Sequence, residues 1–174
     1  MKKSEIQQKH EYFQRYISLT DDVHVLEALQ ISLKELEDAP IQIWKALGDQ
    51  TYAEGKWTVK DILQHDIDTE RVFVYRITAI ARADKQKLLS YDENDYAKNA
   101  QANRRKIEDL LEELILVRKG TIKLFESFTN EMLLQVGNSY NDLQYSPLLL
   151  GFLLAGHQRW HFKVLEEKYY PLLK

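Results

Sequence analysis

Residues 153 to 165 read LLAGHQRWHFKVL, and this stretch constrains the fold more than any other, because it sets His157 and His161 four apart in an otherwise apolar helical stripe. At about 100° per residue, Leu150, Leu153, Leu154, His157, His161, Val164 and Leu165 fall within one arc, so the face that must be buried carries two imidazoles. Burying unpaired polar rings costs roughly 1 to 3 kcal/mol each. Either the rings are hydrogen-bonded to each other, to tyrosines or to buried water, or a divalent metal takes neutral nitrogens from adjacent turns, the i and i+4 geometry of zinc-protease helices. The HExxH base of those proteases is absent, because Gln158 follows His157.

A third ligand decides between the two readings, and His65 is the candidate. It lies at the margin of an apolar face formed by Val59, Ile62, Leu63, Ile67, Phe73, Val74, Ile77 and Ala81, and can point into a seam between helices. Asp66 stands beside it as a carboxylate near the same seam, and Glu70 and Arg76 sit close enough to the margin to join a buried network. His10, in the arm, and His24, at the start of the first helix, share no pattern with these and are read as ordinary satisfied groups without a functional role. Tyr91, Asp92 and Tyr96 lie in a polar connection that could line a cleft and contact substrate, but ordinary loop packing is the preferred reading and they are left out of the site.

The remaining punctuation is helical. Six glycines and three prolines in 174 residues, with few period-two alternations, leave no strand. A first helix is expected from Thr20 or Asp21, carrying Val25, Leu26, Leu29, Leu33 and Leu36 inward and ending at Pro40. The pair Thr58 and Asp61 forms a short capping box for a second helix reaching about Arg82. A third is expected over about Ala102 to Phe128, a short turn follows the Thr129 cap, and Asn138 to Gln144 is a polar loop. Ser146 and Pro147 open a last helix to about Tyr169. These elements predict an all-α, single-domain chain, residues 1–174, built as a four-helix bundle, with residues 1 to about 19 as an aperiodic arm on the body.

Composition narrows the chemistry. With 44% hydrophobic and 29% charged residues the chain is expected to fold as a globular domain. A net charge of −3 with scattered basic residues argues against nucleic acid as a partner. No cysteine is present, which removes disulfides, thiolate ligands and cysteine nucleophiles, so any metal must be held by histidine, carboxylate or water. The longest apolar run, Leu148 to Ala155, is too short to cross a bilayer. A cytoplasmic location with no membrane partner is expected.

Two segments, GKWTVKDILQHDIDTERVFVYRITAIARAD (Gly55 to Asp84) and LLAGHQRWHFKVLEEKY near the end, resemble the DinB-like superfamily of helical-bundle metalloproteins. SYDENDYAKNA (Ser90 to Ala100) and LLEELILVRKGTIKLFESF (Leu110 to Phe128) extend the likeness. The resemblance implies an up-down-down-up bundle, often a homodimer, in which His65, His157 and His161 hold a divalent ion, nickel or zinc foremost, with iron or manganese as alternatives. It also implies a small-molecule substrate and an activity of one of two kinds, S-transfer from a low-molecular-weight thiol such as bacillithiol or mycothiol, or hydrolysis. A noncatalytic bundle serving dimerisation or partner binding, with a structural metal or none, is the alternative. Many relatives carry an acid and a further histidine where this chain has Gln158 and Trp160, which leaves the roles of those two positions open.

Overall fold

Four long helices alternate between two hydrophobic clusters and share one polar level between them. The computed structural model describes residues 1–8, 10–138 and 143–173. In chain order the helices are α1 (Glu11–Ile17), α2 (Val25–Glu37), α3 (Ile41–Leu47), α4 (Val59–Ala81), α5 (Glu93–Ala100), α6 (Ile107–Glu126), α7 (Asn130–Leu134) and α8 (Pro147–Val164). The bundle is made of α2, α4, α6 and α8, with α6 and α8 each packed between α2 and α4.

Side-chain pairings give the directions. Ser32 meets Gln158 and Glu35 meets Arg159, so α2 and α8 run parallel. Thr58 meets Asn103 at one end and Glu70 meets Arg118 further along, so α4 and α6 also run parallel to each other. Tyr169, just beyond α8, donates to the Trp57 carbonyl just before α4, which sets those two helices antiparallel. The bundle is therefore up-down-down-up, as the sequence resemblance implies.

Local chemistry starts the two helices that carry the histidines. The Thr58 hydroxyl accepts from the Asp61 amide at 3.2 Å, and the Asp61 carboxylate accepts from the Thr58 amide at 2.9 Å, closing the capping box. The Ser146 hydroxyl accepts from the Leu149 amide at 3.2 Å, with Pro147 in the first turn where no amide is needed.

One cluster gathers Phe13, Ile17, Val25, Leu29, Ile77, Ile80, Phe125, Leu149 and Leu153. The other gathers Leu36, Trp44, Leu47, Ile62, Leu63, Ile67, Leu110, Leu114 and Leu165. Each bundle helix passes from one cluster to the other through buried polar residues: Ser32 on α2, Asp66 and Glu70 on α4, Arg118 and Thr121 on α6, Gln158 on α8.

Several sequence expectations are corrected. The arm is helical: α1 packs on α8 with Phe13 and Ile17 buried, a segment too short for periodicity to register. The first bundle helix begins at Val25, not near Thr20, because His24 supplies the N-cap, its Nδ1 accepting from the Leu26 amide at 3.4 Å. The third begins at Ile107, because Gln101 takes a left-handed conformation and a short 3-10 turn, Ala102–Arg104, intervenes. The connection after α4 contains α5, capped by Asp92. A two-residue antiparallel ladder, β1 (Gly137–Asn138) with β2 (Gln144–Tyr145), stands where no strand was expected, since two residues cannot display a period of two. Residues 139–142 of the expected polar loop lie outside the described residues. The last helix turns into a wider π-helical turn at Leu165–Tyr169. No helix of the described residues is long and apolar enough to cross a membrane.

The α1–α8 contact is close because Gly156 has no side chain: a Cβ there would overlap the Tyr16 carbonyl oxygen. Exposed Gly120 on α6 has no atom within 4 Å of such a Cβ. Gly156→Ala is expected to destabilise the fold by about 1–3 kcal/mol, and Gly120→Ala to stabilise it by about 0.5–1 kcal/mol. Urea-unfolding midpoints of the two variants, moving in opposite directions from wild type, check the packing.

Candidate metal centre

His65 sits in the second turn of α4 and His157 and His161 in the last two turns of α8, so the antiparallel pairing of these helices brings the three rings to one level. His65 Nε2 lies 3.2 Å from His157 Nε2, and His161 Nε2 lies 3.2 Å from the same atom. Burial pushes the imidazoles down, to about 3 for His65, about 4 for His157 and about 3 for His161. The neighbouring ring adds to the effect at His65, the Arg118 charge adds to it at His157, and Asp66 opposes it at His161. All three are neutral at pH 7, the state in which imidazole binds metal.

Asp66 closes the cluster from behind. Its Oδ1 lies 3.1 Å from His157 Nδ1 and 3.9 Å from His161 Nε2. Neither carboxylate oxygen has an aligned hydrogen-bond donor among the described residues, although the residue is only 5% exposed. Burial pushes its pKa up to about 6, against the pull of His161 and Arg118. The nearest partner atom is the Nδ1 of His157, on the far side of the ring from the Nε2 trio. A carboxylate there favours the tautomer that leaves the Nε2 lone pair facing the other two rings.

Below this level lies a sealed ion pair. Arg118, 2% exposed, grips Glu70 with Nε at 2.9 Å from Oε1 and Nη2 at 2.9 Å from Oε2. Its Nη1 donates to the Ser32 hydroxyl and to Gln158 Oε1 at 3.0 Å, and the Thr121 hydroxyl donates to Glu70 Oε1 at 2.6 Å. Gln158 Nε2 donates onward to the Ser32 carbonyl at 2.9 Å. Gln158, in place of the acid of many relatives, thus joins a structural network, while Trp160 packs edge-on against Tyr16.

Above it a cavity of about 540 Å³ opens onto the three rings. Trp57 covers His65, ring centroids 4.7 Å apart, and Tyr16 stands edge-on to His157 at 5.3 Å. Thr69, one turn after His65, places its hydroxyl 3.4 Å from His65 Nδ1 and 2.7 Å from the Tyr91 hydroxyl, which also lines the cavity.

The donor set suits a divalent ion. His65, Asp66, His157 and His161 each offer an atom within 4.8 Å of the others. Nitrogens bound about 2.0–2.1 Å from one ion stand about 3.0 Å apart at a right angle and about 3.4 Å apart in a tetrahedron; the observed 3.2 Å spacings fall between. The unpaired carboxylate supplies negative charge that a cation would balance.

Of the residues singled out from sequence, His65, His157, His161 and Asp66 are brought together, Glu70 is in the buried network, and Arg76 is in the cavity wall. His10 lies elsewhere, its Nε2 paired with the Gln144 carbonyl at 2.9 Å. Tyr91, read as loop packing, instead faces the cavity; Asp92 is a helix cap, and Tyr96 leans on Tyr91. Trp57 and Arg118 were missed as site residues. The GKW segment could have flagged the first, whereas an arginine among the hydrophobics of α6 carries no partner label in sequence.

Fold and site together define a helical-bundle protein with a buried histidine and carboxylate cluster opening on a cavity. A family model of the DinB superfamily matches residues 15–165, and the chain belongs to that superfamily. It is similar in structure to YfiT from Bacillus subtilis, described as a probable metal-dependent hydrolase with an unusual four-helix bundle topology, with a TM-score of 0.70. The match covers 96% of this chain and 91% of that one at 16% identity, so it bears on the fold. No curated protein matches the chain.

The charge states make stability depend on pH. Asp66 has a folded pKa above its ordinary 3.8, so the stability it contributes is full below pH 3.8 and is lost as pH rises through about 6. The histidines have folded values below 6.5, so their contribution is full above pH 6.5 and is lost as pH falls toward 4 and 3. Chelator-treated wild type is expected to weaken between pH 6.5 and 4. At pH 8 Asp66→Asn is expected to be more stable than wild type by on the order of 2 kcal/mol, the difference closing near pH 4. Urea unfolding at both pH values checks this; a chelated Asp66→Asn no more stable than wild type at pH 8 contradicts it.

Proposed function

We propose that the chain is a divalent-metal-dependent hydrolase for a small molecule, with His65, His157 and His161 as the protein ligands. The observation that carries the reading is the convergence of three neutral imidazoles on the floor of a 540 Å³ cavity, with Nε2 of His65 and Nε2 of His161 each 3.2 Å from Nε2 of His157. The hydrolase class is supported by the fold shared with YfiT. A divalent ion held there would supply Lewis-acid polarisation of the substrate and activation of water as nucleophile.

The chain's own residues prepare the cavity for that chemistry. With Nε2 of each ring given to an ion, the protons of His157 and His65 would sit on Nδ1, 3.1 Å from Asp66 Oδ1 and 3.4 Å from the Thr69 hydroxyl. The Thr69 and Tyr91 hydroxyls lie 2.7 Å apart, and with Thr69 as the donor the phenolic O–H of Tyr91 is free to point into the cavity. Burial pushes Tyr91 up from its ordinary value, so it stays protonated and can give a hydrogen bond or a proton to a leaving group. Trp57 and Tyr16 shield the rings from bulk water.

Two other readings remain distinct in their outcomes. In a noncatalytic site Asp66 would be a fourth ligand and close the shell. In a thiol S-transferase the nucleophile would be a low-molecular-weight thiol in place of water.

Metal content per chain, measured by mass spectrometry on untagged protein, is expected to be about one divalent ion, lost in His65→Ala, His157→Ala and His161→Ala. Asp66→Asn is expected to keep the ion with affinity lowered about 10–100-fold. Hydrolysis of a panel of small esters, amides and phosphoesters is expected in wild type and absent in the three alanine variants. Protein that stays empty after incubation with zinc, nickel and manganese contradicts the metal assignment. Complete loss of metal in Asp66→Asn favours the closed site, and turnover only with added thiol and an electrophile favours the transferase.

A further inference from the structure

The cavity has a second polar end. On α4, His65, Thr69, Phe73 and Arg76 follow at helical spacing along one face, and all four line the cavity. Arg76 comes 11 residues after His65, about 16 Å further along the helix axis. The cavity is therefore a trough with imidazoles at one end and a guanidinium at the other.

Arg76 is 6% exposed, yet it forms no ion pair with any described residue. This sets it apart from the other buried arginine, Arg118, whose charge is met by both oxygens of Glu70. One donor of Arg76 is engaged: Nη2 donates to the Leu89 carbonyl at 2.6 Å. The guanidinium carbon lies 5.0 Å from the Phe73 ring centroid and 5.9 Å from that of Tyr91. None of its other nitrogens is both buried and unpaired, because among the described residues only the Asp66 oxygens are. Arg76 itself lines the cavity. Glu93, the one carboxylate in the wall among the described residues, is exposed and forms no ion pair with Arg76.

A guanidinium carries five donors in a planar fork that matches a carboxylate in two-point contact. A buried one without a counter-ion is stabilised when an anion arrives. Phe13, Tyr16, Phe73, Tyr145 and Leu153 give the trough apolar and aromatic walls. We propose that Arg76 is the anion-binding end of this site, and that the ligand is an elongated small molecule with an apolar body, a carboxylate at the Arg76 end and its reacting bond at the imidazole end. The proposal rests on reading the cavity as a substrate site, and is tested without metal so that the two readings fail separately.

The probes are 4-phenylbutyrate and its uncharged amide, titrated by ligand-observed and arginine side-chain NMR into chelator-treated protein, where a carboxylate cannot anchor on an ion. The acid is expected to bind at least about tenfold tighter than the amide and to shift the Arg76 Nε–Hε resonance, which the amide leaves in place. In Arg76→Met the preference is expected to vanish, and in Arg76→Lys to survive in part. The wild-type resonance carries the test even if Arg76→Met fails to fold. Equal binding of acid and amide, binding of neither, or a preference that persists in folded Arg76→Met overturns the proposal, whatever the metal content.

Discussion

The contact between Arg118 and Glu70 is the one on which the rest of the bundle depends. A charge pair out of water is favourable only when its geometry and its remaining hydrogen bonds are nearly complete. Here completion draws on every bundle helix: Glu70 from α4, Arg118 and Thr121 from α6, Ser32 from α2 and Gln158 from α8. A slide of any helix by one turn would strand a buried charge, at a cost of several kcal/mol. Hydrophobic clusters on either side tolerate such slides more readily, since apolar contact is not directional. The polar level thus fixes the register of the bundle, and the histidines sit one turn from it.

That register explains the electrostatics of the cluster. Because Gln158 is pinned by Arg118 and by the Ser32 carbonyl, His157 beside it on α8 has its ring held against α4. The same guanidinium lowers the pKa of His157 and of Asp66, favouring neutral rings beside an ionised carboxylate. Burial acts against that ionisation, and among the described residues no donor is aligned on either Asp66 oxygen. Local free energy given up in one place while the surroundings hold the geometry is the usual mark of a site kept for function.

Much of this was legible in the sequence, and the reasons differ by residue. His157 and His161 declared themselves because an imidazole pair interrupts a stripe of leucines at helical spacing, and Thr58 and Ser146 marked their helices through capping chemistry that is local by nature. His65 was visible only as a marginal residue, since its meaning depends on α8 lying antiparallel to α4. The pairing of Arg118 with Glu70, 48 positions apart, leaves no trace in composition or periodicity. Arg76 was noticed for its place on the apolar margin, but that no described residue supplies it a counter-ion is a fact of three dimensions. The short α1 and the two-residue strands escaped because neither is long enough to show a period, and α1 is held by tertiary packing on Gly156.

The most direct measurement is anomalous X-ray diffraction from crystals of the protein as purified, at the absorption edge of the metal it carries. The expected result is one peak per chain about 2.0–2.2 Å from Nε2 of His65, His157 and His161, on the cavity side of the rings, with Asp66 hydrogen-bonded to His157 Nδ1. No peak in crystals soaked with zinc or nickel, or a peak bonded to Asp66 as well in a closed shell of four protein ligands, would contradict the assignment of this cavity as an open metal site.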